Sequence, residues 1–204
     1  MNMSTFIFQE ISKRGKVVGI TTKGVQTARN WFRNKARRVQ NIDRDELHSS
    51  NKSRLFTRIG PEDIGSMLMF FYEAKWKDKL PYWDRYPLIF VIETYEDSFL
   101  GINLHYLPPM IRAKLMDALY KTAITNDKNK IERLKINYQI LASAARFKAF
   151  KPCVKKYLKT HLRSRFFFVE PREWDMALML RVAQFQKATE QTVWRHSKKI
   201  IEGR

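Results

Sequence analysis

The sequence predicts an α+β fold: a small antiparallel sheet, for which an SH3-like barrel is one closure, packed against several C-terminal helices and preceded by a basic N-terminal arm. Three observations predict it. Between Met67 and Pro109, three short runs rich in aromatic and β-branched residues are divided by turn-forming residues. Downstream, apolar residues recur at three- and four-residue steps, the period of a helix with one buried stripe. Upstream, residues 1–58 carry 13 Lys and Arg against 4 Asp and Glu and end in a polar tract. The division expected is an arm at 1–58, a core domain at 59–192 and a basic tail at 193–204.

In chain order, Thr27 caps a predicted helix to Val39, with Ala28, Trp31, Phe32 and Ala36 on its apolar stripe. Its other face carries Arg29, Arg33, Lys35, Arg37 and Arg38. Asn41 to Arg58, with its Ser49-Ser50-Asn51-Lys52-Ser53 tract, reads as a linker. Met67 to Glu73 and Leu88 to Tyr95 read as strands, and Glu96-Asp97-Ser98 is the turn into a third run, Phe99 to His105. The hairpin therefore spans 88–105, with Gly101 as a bulge or a point of close packing. Lys75 to Pro87, holding Pro81 and Pro87, is a loop.

Pro108-Pro109 starts a helix, Met110 to Thr125, with Ile111, Leu115 and Leu119 on one face. A second helix, Lys128 to Ala145, has the cleanest stripe: Ile131, Leu134, Tyr138, Leu141 and Ala145. Pro152 opens a third, short helix with Val154, Tyr157 and Leu158 inward and Lys151, Lys155, Lys156, Lys159 and Arg163 outward. Ser164 to Val169 has strand composition and adds to the sheet. Pro171 starts a last main helix with Trp174, Leu178 and Phe185 inside, and the tail from Val193 frays or binds a neighbour.

The net charge is +19, from 39 Lys and Arg against 20 Asp and Glu over 204 residues. A field of that size points to a polyanion, nucleic acid before an anionic membrane. It is unevenly placed: +9 over residues 1–58, −4 over 59–109 and +14 over 110–204. A polyanion is therefore expected on the flanks. Cys153 is the single cysteine, so no intrachain disulfide forms. The longest apolar run, Met67 to Tyr72, is too short to span a bilayer, and neither a cleaved leader nor a membrane partner is expected.

No catalytic constellation stands out. The four histidines (His48, His105, His161, His196) lack a second ligand at metal spacing, and His161 lies eight residues from Cys153. No glycine loop suited to phosphates is present. Asp84, Glu93, Glu96 and Asp97 gather near the hairpin, and Glu73-Ala-Lys75 resembles part of a nuclease signature. The order of these elements is wrong for a two-metal nuclease. The expectation is instead that Asp84 pairs with Arg85 while Glu96 and Asp97 make the turn. No metal, cofactor or enzymatic activity is predicted.

The segment Pro81-Tyr-Trp-Asp-Arg-Tyr-Pro87 places three aromatics between prolines. Such rings stack on unpaired bases, cover a sheet's open end, or meet a partner protein. The near-zero local charge favours packing or a partner, so Tyr82, Trp83 and Tyr86 are the candidate partner-binding residues.

Three blocks carry a resemblance: Leu80-Pro-Tyr-Trp-Asp-Arg-Tyr-Pro-Leu88, Phe99-Leu-Gly-Ile-Asn-Leu-His-Tyr-Leu-Pro-Pro109, and Phe150-Lys-Pro-Cys with His161-Leu-Arg-Ser-Arg165. They resemble small virion proteins of T-even-type tailed phages, the DNA end protector or head-completion proteins. The similarity spans about residues 65–195 and leaves the arm outside. It implies a protein that binds the end of packaged double-stranded DNA and shields it from exonuclease at the head–tail junction. Its partners are then DNA and other virion proteins, a homo-oligomer being compatible, with a life in the host cytoplasm and then the virion. The candidate phosphate contacts are Arg29, Arg33, Lys35, Arg37 and Arg38, with Lys151, Lys155, Lys156, Lys159, Arg163 and Arg165. The alternative is a structural adaptor of the neck, tail or baseplate whose basic faces meet acidic proteins.

Overall fold

A computed structural model describes residues 55–122 and 150–203, together with Asn30, Asn34 and Arg44 singly. The helix expected over Thr27–Val39, most of the linker and the helix expected over Lys128–Ala145 lie outside the described residues. The chain divides into two compact units, Asn51–Pro171 with Ala183–Arg204, and Met1–Ser50 with Arg172–Val182.

The first unit holds a six-stranded antiparallel sheet. Its strands are β1 (Leu55–Phe56), β2 (Met67–Met69), β4 (Leu88–Thr94), β5 (Ser98–Asn103), β6 (Val154–Leu158) and β7 (Phe166–Val169), in the order β1-β7-β2-β4-β5-β6. Two short strands, β3 (Trp83–Asp84) and β8 (Phe185–Gln186), pair separately. The described strands leave the sheet open, so the SH3-like barrel is not formed among them. β1 lies at the end of the stretch expected to be a linker, where Leu55 and Phe56 pair with Phe167 and Phe166.

The hairpin forms where expected, β4 against β5, and Tyr95 N donates to Ser98 O across the Glu96-Asp97 turn. The bulge, however, falls on β4 between Val91 and Glu93, facing Gly101 and Leu100. Gly101 is the close-packing point. A Cβ there would stand 2.6 Å from Ile89 Cδ1, inside any van der Waals contact.

One face of the sheet carries an aromatic core. The Phe70 ring lies 5.2 Å from Phe166, 5.3 Å from Tyr157 and 5.7 Å from Phe99, all edge-on, the preferred geometry for ring pairs. Leu68, Ile89 and Val91 complete it. The opposite face, with Met67, Met69, Phe90 and Ile102, is equally buried, which is why these strands read as unbroken apolar runs rather than alternating ones.

Ser164 to Val169 supplies β7, as its composition predicts. The stretch after Pro152 does not form a helix. Val154 to Leu158 is strand β6, paired with β5 from Ser98↔Leu158 to Ile102↔Val154. The free edge of β5 and the alternation of Lys155 and Tyr157 with their neighbours override a weak helical pattern. Tyr157 is buried in the core, whereas Val154 and Leu158 are half-buried.

Helix α1 (Pro109–Thr122) begins at the predicted proline, but its buried face is turned from the one expected. Ile111 is 40% exposed, while Arg112, Ala113, Leu115 and Met116 are buried. Arg112 Nε donates to Leu107 O at 2.6 Å, and burial pulls its pKa down to about 10. The helix expected from Pro171 is a 3-10 turn followed by one turn, α2 (Trp174–Ala177), in the other unit, and Phe185 sits in β8. The main C-terminal helix is α3 (Glu190–Glu202), over most of the stretch expected to fray. Thr189 Oγ1 caps it by accepting from Thr192 N, and Gly203 closes it at φ 74°.

Candidate nucleic-acid interface

The loop before β3 builds one wall of a cleft. Lys79 N and Leu80 N both donate to Trp76 O, which makes a tight turn. Lys187, beyond β8, sits at φ 64°, a left-handed conformation that a lysine rarely adopts. From there its Nζ donates to Lys77 O at 2.5 Å, Asp78 O at 3.1 Å and Leu80 O at 3.4 Å. Three carbonyls on one ammonium hold the turn and offset the backbone strain.

The floor is a buried polar network around Asp84. Its Oδ1 accepts from Tyr86 N (3.0 Å) and Gln184 N (3.2 Å), and its Oδ2 from Asn103 Nδ2 (3.1 Å). His105 Nδ1 stands 2.7 Å from Oδ2 and donates to it, because a carboxylate can only accept. Burial opposes the charge on Asp84, but His105 and the other donors outweigh it and hold the carboxyl below its ordinary range. The expected Asp84–Arg85 pair is therefore replaced by Asp84–His105, and Arg85 is exposed. Trp194 of α3 donates from Nε1 to His105 O at 3.0 Å, fastening the helix beside this network.

The other wall is β6. Tyr157 points into the aromatic core, and Lys155, two residues earlier, shares its face of the strand. Lys155 Nζ lies 4.1 Å from the centroid of the Tyr106 ring, a cation–π distance. Burial lowers its pKa, and no carboxylate pairs with it among the described residues. Between the walls lies a cleft of about 430 Å³, lined by Trp76, Tyr82, Trp83, Tyr106 and Tyr157 with Lys75 and Lys155.

The predicted cations of the C-terminal half therefore sit on a strand, a 3-10 turn and a loop rather than on one helix face. Lys151, Lys156 and Arg165 are exposed, and Lys156 Nζ stands 5.3 Å from the Tyr95 ring. Lys159 Nζ donates to Tyr95 O at 2.7 Å. Arg163 Nε is engaged by Glu73 Oε2 at 3.1 Å; hydrogen bonds from Lys77 and Arg163 keep the Glu73 pKa low. Arg29, Arg33, Lys35, Arg37 and Arg38 lie outside the described residues. Of the aromatics, Tyr86 is fully buried against Phe71, with ring centroids 4.8 Å apart. Tyr82 and Trp83 are half-buried and line the cleft.

Lys75, Lys79, Lys187 and Tyr106 were not legible as site residues. The signal was present in Lys75-x-Lys77-x-Lys79 just ahead of the aromatic segment, but Glu73 and Asp78 offset two of those three charges when they are summed along the chain. In space, Lys75 and Lys79 stand 5.3 and 5.1 Å from the Trp76 ring. Lys187 Nζ stands 5.9 Å from the ring of Trp83 in the neutral segment.

No three His, Cys, Asp or Glu side chains gather at metal distance among the described residues. Cys153 is buried, and burial pushes its thiol up to about 12, so a thiolate is not within reach near neutral pH. No described helix is long and apolar enough to cross a membrane.

No curated protein and no solved structure matches the chain. A protein family does, over residues 9–200, and the match runs into the arm that the sequence resemblance left outside. By that match the chain belongs to the phage T4 terminal DNA protecting protein family.

Proposed function

We propose that the protein is a non-enzymatic virion component that binds double-stranded DNA at the terminus of the packaged genome, shields it from exonuclease and helps to complete the head. The observation that supports this reading best is the run of cations from Lys151 to Arg165 on the outermost described strand of the sheet and the loop after it. Lysines on an edge strand also discourage unwanted sheet pairing, which would account for the exposed Lys156. That purpose does not account for Lys155, half-buried and without a carboxylate partner among the described residues. The role of the set is phosphate neutralisation, shared with Arg29, Arg33, Lys35, Arg37 and Arg38 of the arm. Binding is then largely independent of sequence. The partners are duplex DNA and the virion proteins of the head–tail junction, met first in the host cytoplasm.

Titrating the free protein with duplex DNA at two salt concentrations tests this. About six phosphate contacts give a slope of log K against log salt of about −5. A neck, tail or baseplate adaptor that meets acidic proteins instead would show little DNA affinity near physiological salt, and that result would overturn the proposal.

A further inference from the structure

The cleft between the Trp76–Trp83 wall and β6 combines features that a duplex does not need. A duplex presents phosphates on a convex surface, and exposed cations such as Lys151 and Arg165 suffice to meet them. The cleft instead recesses its lysine. Lys155 is half-buried, lies over the face of Tyr106, and has no acidic partner among the described residues. Around it stand Trp76, Tyr82, Trp83 and Tyr157, and Trp76 is 56% exposed at the rim. The wall that carries Trp76 is pinned by the three carbonyl contacts of Lys187, so the rings are held apart before anything enters. At about 430 Å³ the cleft has the size of a site for a small organic ligand.

Recessed ammonium plus aromatic walls is the chemistry that receives one unstacked nucleotide: the base against the rings, its phosphate on the lysine. The Asp84 carboxylate at the floor does not compete for that lysine, because both its oxygens are taken by donors from Tyr86, Gln184, Asn103 and His105.

We propose that this cleft takes the unpaired terminal nucleotide of a DNA end, with Lys155 on its phosphate and the aromatic walls on its base. This rests on the DNA-end reading above and makes it specific: exposed cations hold the duplex, and the cleft recognises that the duplex stops. A closed circle has no free nucleotide to offer.

The test uses the full chain and three DNAs of equal length: a blunt linear duplex, the same duplex with a one-nucleotide overhang carrying 2-aminopurine, and a covalently closed circle. Wild type is expected to bind the overhang about tenfold more tightly than the circle and to quench the 2-aminopurine on binding. Trp76→Ala, at the exposed rim, is expected to remove that preference and the quenching while leaving circle binding unchanged, whereas Lys155→Gln is expected to remove both and also to weaken all three DNAs by the loss of one phosphate contact. Lys151→Gln, away from the cleft, is expected to weaken all three alike. Equal affinity for circle and overhang, or a preference that survives both cleft variants, overturns the cleft alone. Absence of binding to any of the three overturns the DNA-end reading and the cleft with it.

Discussion

Asp84 Oδ2 and His105 Nδ1 lie 2.7 Å apart with both side chains essentially fully buried, and the pair joins β3 to the 3-10 turn that follows β5, Leu104–Tyr106. No sequence pattern announces it, since the two residues are 21 apart and each stands among aromatics. Removing one partner strands the other's polar groups in a dry interior. Asp84→Ala leaves the buried donors of Tyr86, Gln184, Asn103 and His105 without their acceptor and is expected to destabilise the fold by about 3 kcal/mol, measured by urea denaturation. Loss of under 1 kcal/mol would mean that the network does not hold the cleft floor.

The same pair sets a pH dependence. Burial lowers the His105 pKa from its ordinary 6.5 by more than Asp84 raises it, so the folded protein keeps the ring neutral. As pH falls below about 6.5, the unfolded chain takes up a proton that the folded chain refuses, and stability falls. Asp84, held below 3.8, adds a second loss in more acid solution. Melting temperature followed from pH 7.5 to 5 should therefore decline, and His105→Asn should flatten that decline. A wild-type profile that is level over this range would contradict it.

Gly101→Ala is expected to cost about 1–3 kcal/mol, because the new methyl meets Ile89 Cδ1 at 2.6 Å in a close-packed sheet. Adding Ile89→Val removes that Cδ1 and should recover part of the loss. Thermal denaturation of the single and double variants measures both effects, and a double variant no more stable than Gly101→Ala would assign the strain elsewhere.

How much of this was legible depends on whether the deciding force was local. The hairpin was, because Glu96-Asp97 and the flanking β-rich runs agree with each other. So was the start of α1, fixed by Pro109. The β6 strand was not: Val154 to Leu158 fits either a helical or an alternating pattern, and the free edge of β5, over fifty residues away, decides between them. The cleft was illegible for the same reason. Charge summed along the chain cancels Lys75 against Glu73, whereas the fold carries Lys155 and Lys187 across to the aromatics from 70 to 110 residues downstream.

Reversing Lys155, Lys156 and Lys159 to Glu should abolish duplex binding at low salt, since it changes the local charge by six units where phosphates would lie. A gel-shift titration unchanged by the triple substitution would remove β6 and the turn after it from the interface. Circular dichroism of the variant separates that result from misfolding.

Protection from exonuclease bears most directly on the central claim. Linear duplex DNA is incubated with the full chain, a processive exonuclease is added, and intact ends are counted over time. The account predicts that saturating protein preserves the ends, and that raising the salt from 50 to 200 mM, roughly the range over which such contacts weaken, abolishes the protection. Digestion at the rate of free DNA, with the protein bound elsewhere along the duplex or not at all, would contradict it.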